Sequence, residues 1–129
     1  MTHQKKKVSK RKIEIANRFL FEIDKHVMEL KTGIAEKALG LNEIAKRLFI
    51  ATNHMSDTVS DVLGKSPCEI YEHKLVETSK EIIENSHKPI NEIARLLDYD
   101  PSNFTKFFKR YTGLTPSQFR NSKTDNLTI

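Results

Sequence analysis

Hydrophobic positions recur every three or four residues along most of this chain, the periodicity of helices that turn one face inward. Ile13, Ala16, Leu20, Ile23, Val27 and Leu30, with Phe19 alongside, predict a first helix of about five turns. The same spacing also admits a short dimerising coiled coil, but such seams usually run over three or four heptads, so packing against the rest of the domain is expected. From Thr32 to Gly40 the pattern loosens, with Gly33 and Gly40 as ends of elements. No segment alternates apolar and polar residues with the period of a strand, so the expected fold class is all-α.

One pattern occurs twice. Leu41-Asn42-Glu43-Ile44-Ala45 returns 49 residues later as Ile90-Asn91-Glu92-Ile93-Ala94, and the same offset carries Leu48 onto Leu97, Met55 onto Phe104, Val59 onto Phe108, Gly64 onto Gly113 and Pro67 onto Pro116. A fixed period of this length marks a duplicated supersecondary unit. Each copy predicts a short helix, a tight turn and a longer helix, the layout of a helix-turn-helix. Asn42 is the expected N-cap of the first short helix, which ends near Leu48. Ala45 and Ala94 are small where the two helices of such a motif cross closely.

The longer helix of the first unit is expected from about Thr52 to Leu63, burying Met55, Val59 and Val62 and presenting Asn53, Ser56, Asp57 and Ser60 outward. In the second unit Asp100-Pro101 joins an N-cap to a proline at the first helical position. Phe104, Phe107, Phe108 and Tyr111 form its inner side and read as core, while Ser102, Asn103, Thr105, Lys106, Lys109 and Arg110 face out. Between the units, Ser66-Pro67-Cys68-Glu69 opens a helix with both a capping box and a first-turn proline, and Thr115-Pro116-Ser117-Gln118 repeats both signals. The helix from Pro67 to about Ser86 has an inner face of Ile70, Leu75, Val76, Ser79, Ile82 and Ile83, and a length of about 30 Å suits it as a strut. The expected division is a disordered basic arm over 1–12, a helix and linker over 13–40, helix-turn-helix units over 41–66 and 89–121 joined by a helix over 67–88, and a flexible tail over 122–129.

Charge changes the picture at one end. Lys5, Lys6, Lys7, Lys10, Arg11 and Lys12 supply six positive charges with no acid before residue 13, so the rest of the chain nets −1 against the overall +5. Such a run attracts phosphate whatever fold follows it, or serves only as a solvated terminus. No apolar stretch approaches the ~18 residues of a membrane span, and the lysine-rich start lacks a signal-peptide core, so no membrane partner and a cytoplasmic location are expected. Cys68 is the single cysteine and the five histidines are scattered without ligand spacing, so neither a metal nor another cofactor is expected. No nucleophile, base and orienting group stand at recognisable spacing and no glycine-rich phosphate loop is present, so an enzyme is not expected.

With these residues in view, the chain resembles the DNA-binding domain of the AraC/XylS family of bacterial transcription regulators. The resemblance spans roughly residues 15–120, and its most specific part runs from Ile93-Ala94 through Phe107-Phe108-Lys109-Arg110-Tyr111-Thr112-Gly113-Leu114-Thr115-Pro116-Ser117-Gln118-Phe119-Arg120. It implies seven helices, two helix-turn-helix subdomains joined by one long helix, and a recognition helix from each entering adjacent major grooves about 34–36 Å apart. Carried over by position, base readout falls to Asn53, Ser56 and Asp57 in the first unit and to Ser102, Thr105 and Lys106 in the second. His54, Ser60, Asn103, Lys109 and Arg110 flank them within reach of bases or phosphates. The implied partners are double-stranded DNA and RNA polymerase, with the chain acting as a monomer because both reading heads lie in one polypeptide.

Departures from the family pattern carry expectations of their own. The turn position often filled by glycine holds Phe49 and Asp98; Asp tolerates a left-handed backbone moderately well and Phe less readily, so either local strain or a shifted turn is expected in the first unit. Asp57 and Asp61 lie on the first recognition helix where the family often has a basic residue, so that head either reads one particular base or binds weakly. About 40 residues precede the first unit, too few for an effector-sensing domain. If these 129 residues are the whole protein, abundance or a partner is expected to set its output. The alternative function is a protein-interaction module on a helix-turn-helix scaffold that has lost DNA reading.

Overall fold

The computed structural model describes residues 8–127, with side chains described as far as residue 123. Among the described residues there are seven helices and no strand: α1 (Lys10–Lys31), α2 (Leu41–Arg47), α3 (Thr52–Leu63), α4 (Pro67–Asn85), α5 (Ile90–Leu96), α6 (Pro101–Thr112) and α7 (Pro116–Leu127). The described residues form two compact units, one from residues 8–25 with 39–71 and the other from residues 26–38 with 72–127, so that α1 and α4 each contribute to both.

In the first unit Ile15, Ala16, Phe19 and Ile23 of α1, Ile44 and Ala45 of α2, Leu48, and Met55 and Val59 of α3 are buried and form the core. Val62, expected inside, is half-buried, while Thr58 takes a buried place. Ile13 was expected on the inner face of α1 but is 44% exposed, and Ile15 is buried instead. At about 100° per residue, Ile13 lies on nearly the opposite side of the helix from Ile15. The helix also starts earlier than the expected basic arm allows. The Ser9 hydroxyl accepts the Lys12 N–H at 3.2 Å, and Lys10, Arg11 and Lys12 then form the first turn, as good helix formers do behind a serine cap. Lys5, Lys6 and Lys7 lie outside the described residues.

Polar contacts help to hold α1 in this unit. Arg18 donates to the carbonyl of Leu48 at the end of α2 (2.9 Å), Arg47 meets Glu22 at 3.5 Å, and Lys12 Nζ meets Asp61 Oδ2 at 2.9 Å. Asn42 is not the cap of α2. Gly40 holds that place, its N–H donating to Glu43 Oε1 at 2.8 Å, while the Asn42 side-chain Oδ1 accepts the Thr52 hydroxyl at 2.9 Å.

The second unit is built on an aromatic core. Phe104, Phe107 and Phe108 of α6 are buried with Ile93, Ala94 and Leu97, and Tyr99 stacks on Phe107 with centroids 4.8 Å apart. Phe119 of α7 meets Phe108 edge-on at 5.5 Å, which fixes α7 beneath α6. On α4, Leu75, Val76, Ser79, Ile82 and Ile83 are buried as expected, and the Ser79 hydroxyl is satisfied by the Leu75 carbonyl at 2.7 Å. Ile70, expected on that face, is half-buried. Tyr111, expected on the inner side of α6, is 37% exposed, because its ring lies at the helix end with its hydroxyl on Glu72. Helix α7 continues to Leu127, where the sequence reading places a flexible tail from residue 122; residues 128–129 lie outside the described residues.

The short-range signals form as expected. Ser66 and Glu69 exchange two 3.2 Å hydrogen bonds, and Thr115 and Gln118 do the same at 2.9 and 3.1 Å. Gly64 and Gly113 end α3 and α6 in the left-handed region, with φ of 72° and 82°.

Candidate nucleic-acid interface

Each unit places its longer helix behind a tight turn of the same construction. Phe49 and Asp98 have φ of 61° and 63°, the only non-glycine residues with positive φ among those described. Ile50 N–H reaches the Ala45 carbonyl (3.2 Å) and Phe49 N–H the Lys46 carbonyl (3.0 Å); Tyr99 to Ala94 (2.8 Å) and Asp98 to Arg95 (3.0 Å) repeat both bonds. These are the paired six-to-one and five-to-two bonds that close a helix through a left-handed residue. The turn thus uses the left-handed backbone without glycine. Asp98 gains a compensation, since its carboxylate accepts the Ala38 N–H at 2.8 Å. Phe49 is 89% exposed.

The turns deliver the outward faces of α3 and α6. Asn53, His54, Asp57 and Ser60 are exposed on α3 and Ser56 is half-buried; Ser102, Asn103, Lys106, Lys109 and Arg110 are exposed on α6 and Thr105 is half-buried. Residues 53, 56, 57 and 60, like 102, 105, 106 and 109, follow the three- and four-residue steps of a single helical face. Each unit therefore gathers these four predicted residues into one polar strip over a buried apolar one, with His54, Asn103 and Arg110 towards one side of it.

The two strips differ chemically. The N-cap Asp100 accepts the Ser102 and Asn103 N–H groups at 3.1 and 3.4 Å and the Ser102 hydroxyl at 2.8 Å. Those hydrogen bonds, the Ser102 hydroxyl first, hold the Asp100 carboxyl below the usual aspartate range. Thr105 donates its hydroxyl to the Pro101 carbonyl at 3.1 Å. The hydroxyl protons of Ser102 and Thr105 are thus engaged within the unit, and both oxygens remain acceptors. Lys106 and Lys109 have no carboxylate partner among the described residues, and Arg110 lies 3.5 Å from Glu72. On α3 the cap position is Ala51, without a side-chain bond. Asp57 has no cationic partner among the described residues, whereas Asp61 is paired with Lys12.

Several contributors were not legible as site residues. Lys12 reads from the sequence as part of a loose arm, and only folding brings it to Asp61, 49 residues away. Lys46 and Arg95 are exposed cations at matching places near the ends of α2 and α5, and the 49-residue offset could have found them. A cavity of about 200 Å³ in the second unit, lined by Lys31, Glu81, Ile82, Ser86, Lys88 and Leu96 among others, contains none of the predicted residues.

A family model described as a helix-turn-helix domain matches residues 44–122. The uncharacterised HTH-type transcriptional regulator YfiF of Bacillus subtilis is 25% identical over 117 residues, 91% of this chain and 36% of that protein. The chain spans less than half the length of the curated relatives it matches. Among solved structures, the C-terminal domain of AraT, a response regulator from Geobacillus stearothermophilus, superposes with a TM-score of 0.73 at 27% identity, covering 84% of each chain. The DNA-binding domain of the global transcriptional factor AdpA, solved in complex with a target DNA, has a TM-score of 0.69 at 18% identity, covering 83% of this chain and 94% of that one.

Proposed function

The chain belongs to the AraC/XylS-type helix-turn-helix family of DNA-binding transcription regulators, whose fold and function are not those of enzymes, and on that footing we propose how it reads DNA. Helices α3 and α6 are the recognition helices, each entering a major groove of double-stranded DNA. Asn53, Ser56 and Asp57 contact base edges from the first, and Ser102, Thr105 and Lys106 from the second. His54, Ser60, Asn103, Lys109 and Arg110 flank these and reach bases or phosphates.

The observation that carries this reading is the repeated strip: residues 53, 56, 57 and 60 in one unit and 102, 105, 106 and 109 in the other share one polar helical face behind the same left-handed turn. Its chemistry suits base edges, with amide and ammonium donors at Asn53 and Lys106 and hydroxyl acceptors at Ser102 and Thr105. The AdpA domain, of the same fold, was crystallised on a target DNA, which supports duplex DNA as the partner here. Helix α4, 19 residues and about 28 Å long, carries the chain from one unit into the other. With two reading heads of different sequence, the proposed site is asymmetric and covers roughly 20 base pairs, its two boxes one turn of DNA apart. We take the chain to act as a monomer because both reading heads lie in one polypeptide, and a bacterial cytoplasmic setting with RNA polymerase as a further partner follows from the family's role in transcription.

Selection of bound duplexes from a random-sequence library, followed by gel shift of the recovered site, tests the reading. An asymmetric site with two boxes is expected. Inserting about five base pairs between the boxes turns them to opposite faces, and binding should fall to that of one head. Recovery of no preferred duplex would favour a protein-interaction module on this scaffold.

A further inference from the structure

The ion pairs Lys12–Asp61 and Glu72–Arg110 stand at matching places in the two units with their charges exchanged. Asp61 and Arg110 are one position of the 49-residue repeat, on α3 and α6. Their partners match as well. Moving α1 along by 60 residues sets Ile15, Ala16, Phe19 and Ile23 on Leu75, Val76, Ser79 and Ile83, all buried, and sets Lys12 on Glu72. Each unit thus ties its recognition helix to the long helix that precedes it through the same two positions, once with the acid on the recognition helix and once with the base there.

The contacts are specific. Lys12 Nζ lies 2.9 Å from Asp61 Oδ2. Glu72 accepts the Tyr111 hydroxyl at 2.5 Å through Oε1 and meets the Arg110 guanidinium at 3.5 Å through Oε2. Arg110 also lies over the Tyr111 and Phe107 rings, 5.5 and 6.0 Å from their centroids. A tie of this kind can be built with either polarity. What the polarity changes is the charge that the recognition helix shows to a polyanion. By spacing, Asp61 lies on the face of Asn53 and Asp57, and Arg110 on the face of Lys106.

We propose that Lys12 and Glu72 are positioning residues that trim the two reading heads in opposite directions. Lys12 masks the repulsion between Asp61 and the DNA backbone and so supports the first head. Glu72 holds back the Arg110 charge and so restrains the second. The inference rests on the DNA-binding reading and deepens it: two heads of unequal sequence are brought toward equal grip, leaving base contacts to decide the site. Because both pairs are partly exposed, the effects are modest and salt-dependent.

The experiment measures affinity of the full chain for the duplex selected above, over a range of salt. Lys12→Gln is expected to weaken binding roughly two- to fivefold, and Glu72→Gln to tighten it by a similar factor. Glu72→Gln keeps an acceptor for Tyr111 and should steepen the slope of log K against log salt by about one, as Arg110 becomes free to engage a phosphate. Lys12→Arg and Glu72→Asp should bind as wild type. Should Lys12→Gln melt early, Asp61→Asn reads the same contact from its other side and should tighten binding. If both glutamine variants weaken binding, or neither changes it, the pairs are structural ties only and the proposal is overturned. A wild-type chain that prefers no duplex would instead overturn the DNA-binding reading, and this proposal with it.

Discussion

Replacing Phe49 with glycine is expected to stabilise the protein. The residue sits at φ 61°, where an L side chain costs roughly 1–2 kcal/mol. Its ring is 89% exposed, so removing it gives up almost no buried area. The two hydrogen bonds that close the turn run between backbone groups and survive the change. Against this, glycine returns about 0.4–1 kcal/mol of freedom to the unfolded chain. The net gain is about 0.5–1 kcal/mol, a rise in Tm of roughly 2–5 °C for a chain of this size. Phe49→Asn, which relieves the strain without the glycine entropy, should gain a similar amount. Asp98→Gly is the internal control: it relieves the same backbone at φ 63° but removes the 2.8 Å acceptor of the Ala38 N–H, so its gain should be smaller or reversed. Thermal melts followed by far-ultraviolet circular dichroism measure all three. A lower Tm for Phe49→Gly would refute the reasoning, because the ring would then be making a contact that its exposure denies.

Lys106→Ala should cost about 1–3 kcal/mol of DNA affinity and relax preference at one or two adjacent base pairs. A silent Lys106→Ala beside a non-binding Asn53→Ala would make the first head the dominant reader. Phe108→Ala removes a fully buried ring seated between Phe104 and Phe119 and should destabilise by about 3–5 kcal/mol in denaturant melts; a loss under about 1 kcal/mol would contradict that packing. The Asp100 carboxyl is held low by its hydrogen bonds, so its contribution to α6 is present above the usual aspartate range and lost as pH falls through its depressed folded value. Below about pH 4 the wild type should lose stability more steeply than Asp100→Asn, and parallel acid profiles would rule the cap out as the cause.

What the sequence determined by itself is the part governed by neighbours in the chain. The Ser66–Glu69 and Thr115–Gln118 boxes, the Asp100 cap and the glycine ends at Gly64 and Gly113 engage groups within four residues, so residue order alone reveals them. The 49-residue repeat places the polar strips of α3 and α6, and with them the candidate site, because helical periodicity decides which residues share a face. Tertiary structure decided what depends on partners far away in sequence. It turned Ile13 outward and Ile15 inward, since several apolar residues near one end of α1 admit more than one stripe until something packs against them. It drew Lys12 out of the expected arm into α1 and onto Asp61, joined Glu72 to Arg110, and set Asp98 on Ala38. Charges add along a sequence without regard to position, whereas the field a helix shows to DNA depends on which charges the fold has already paired.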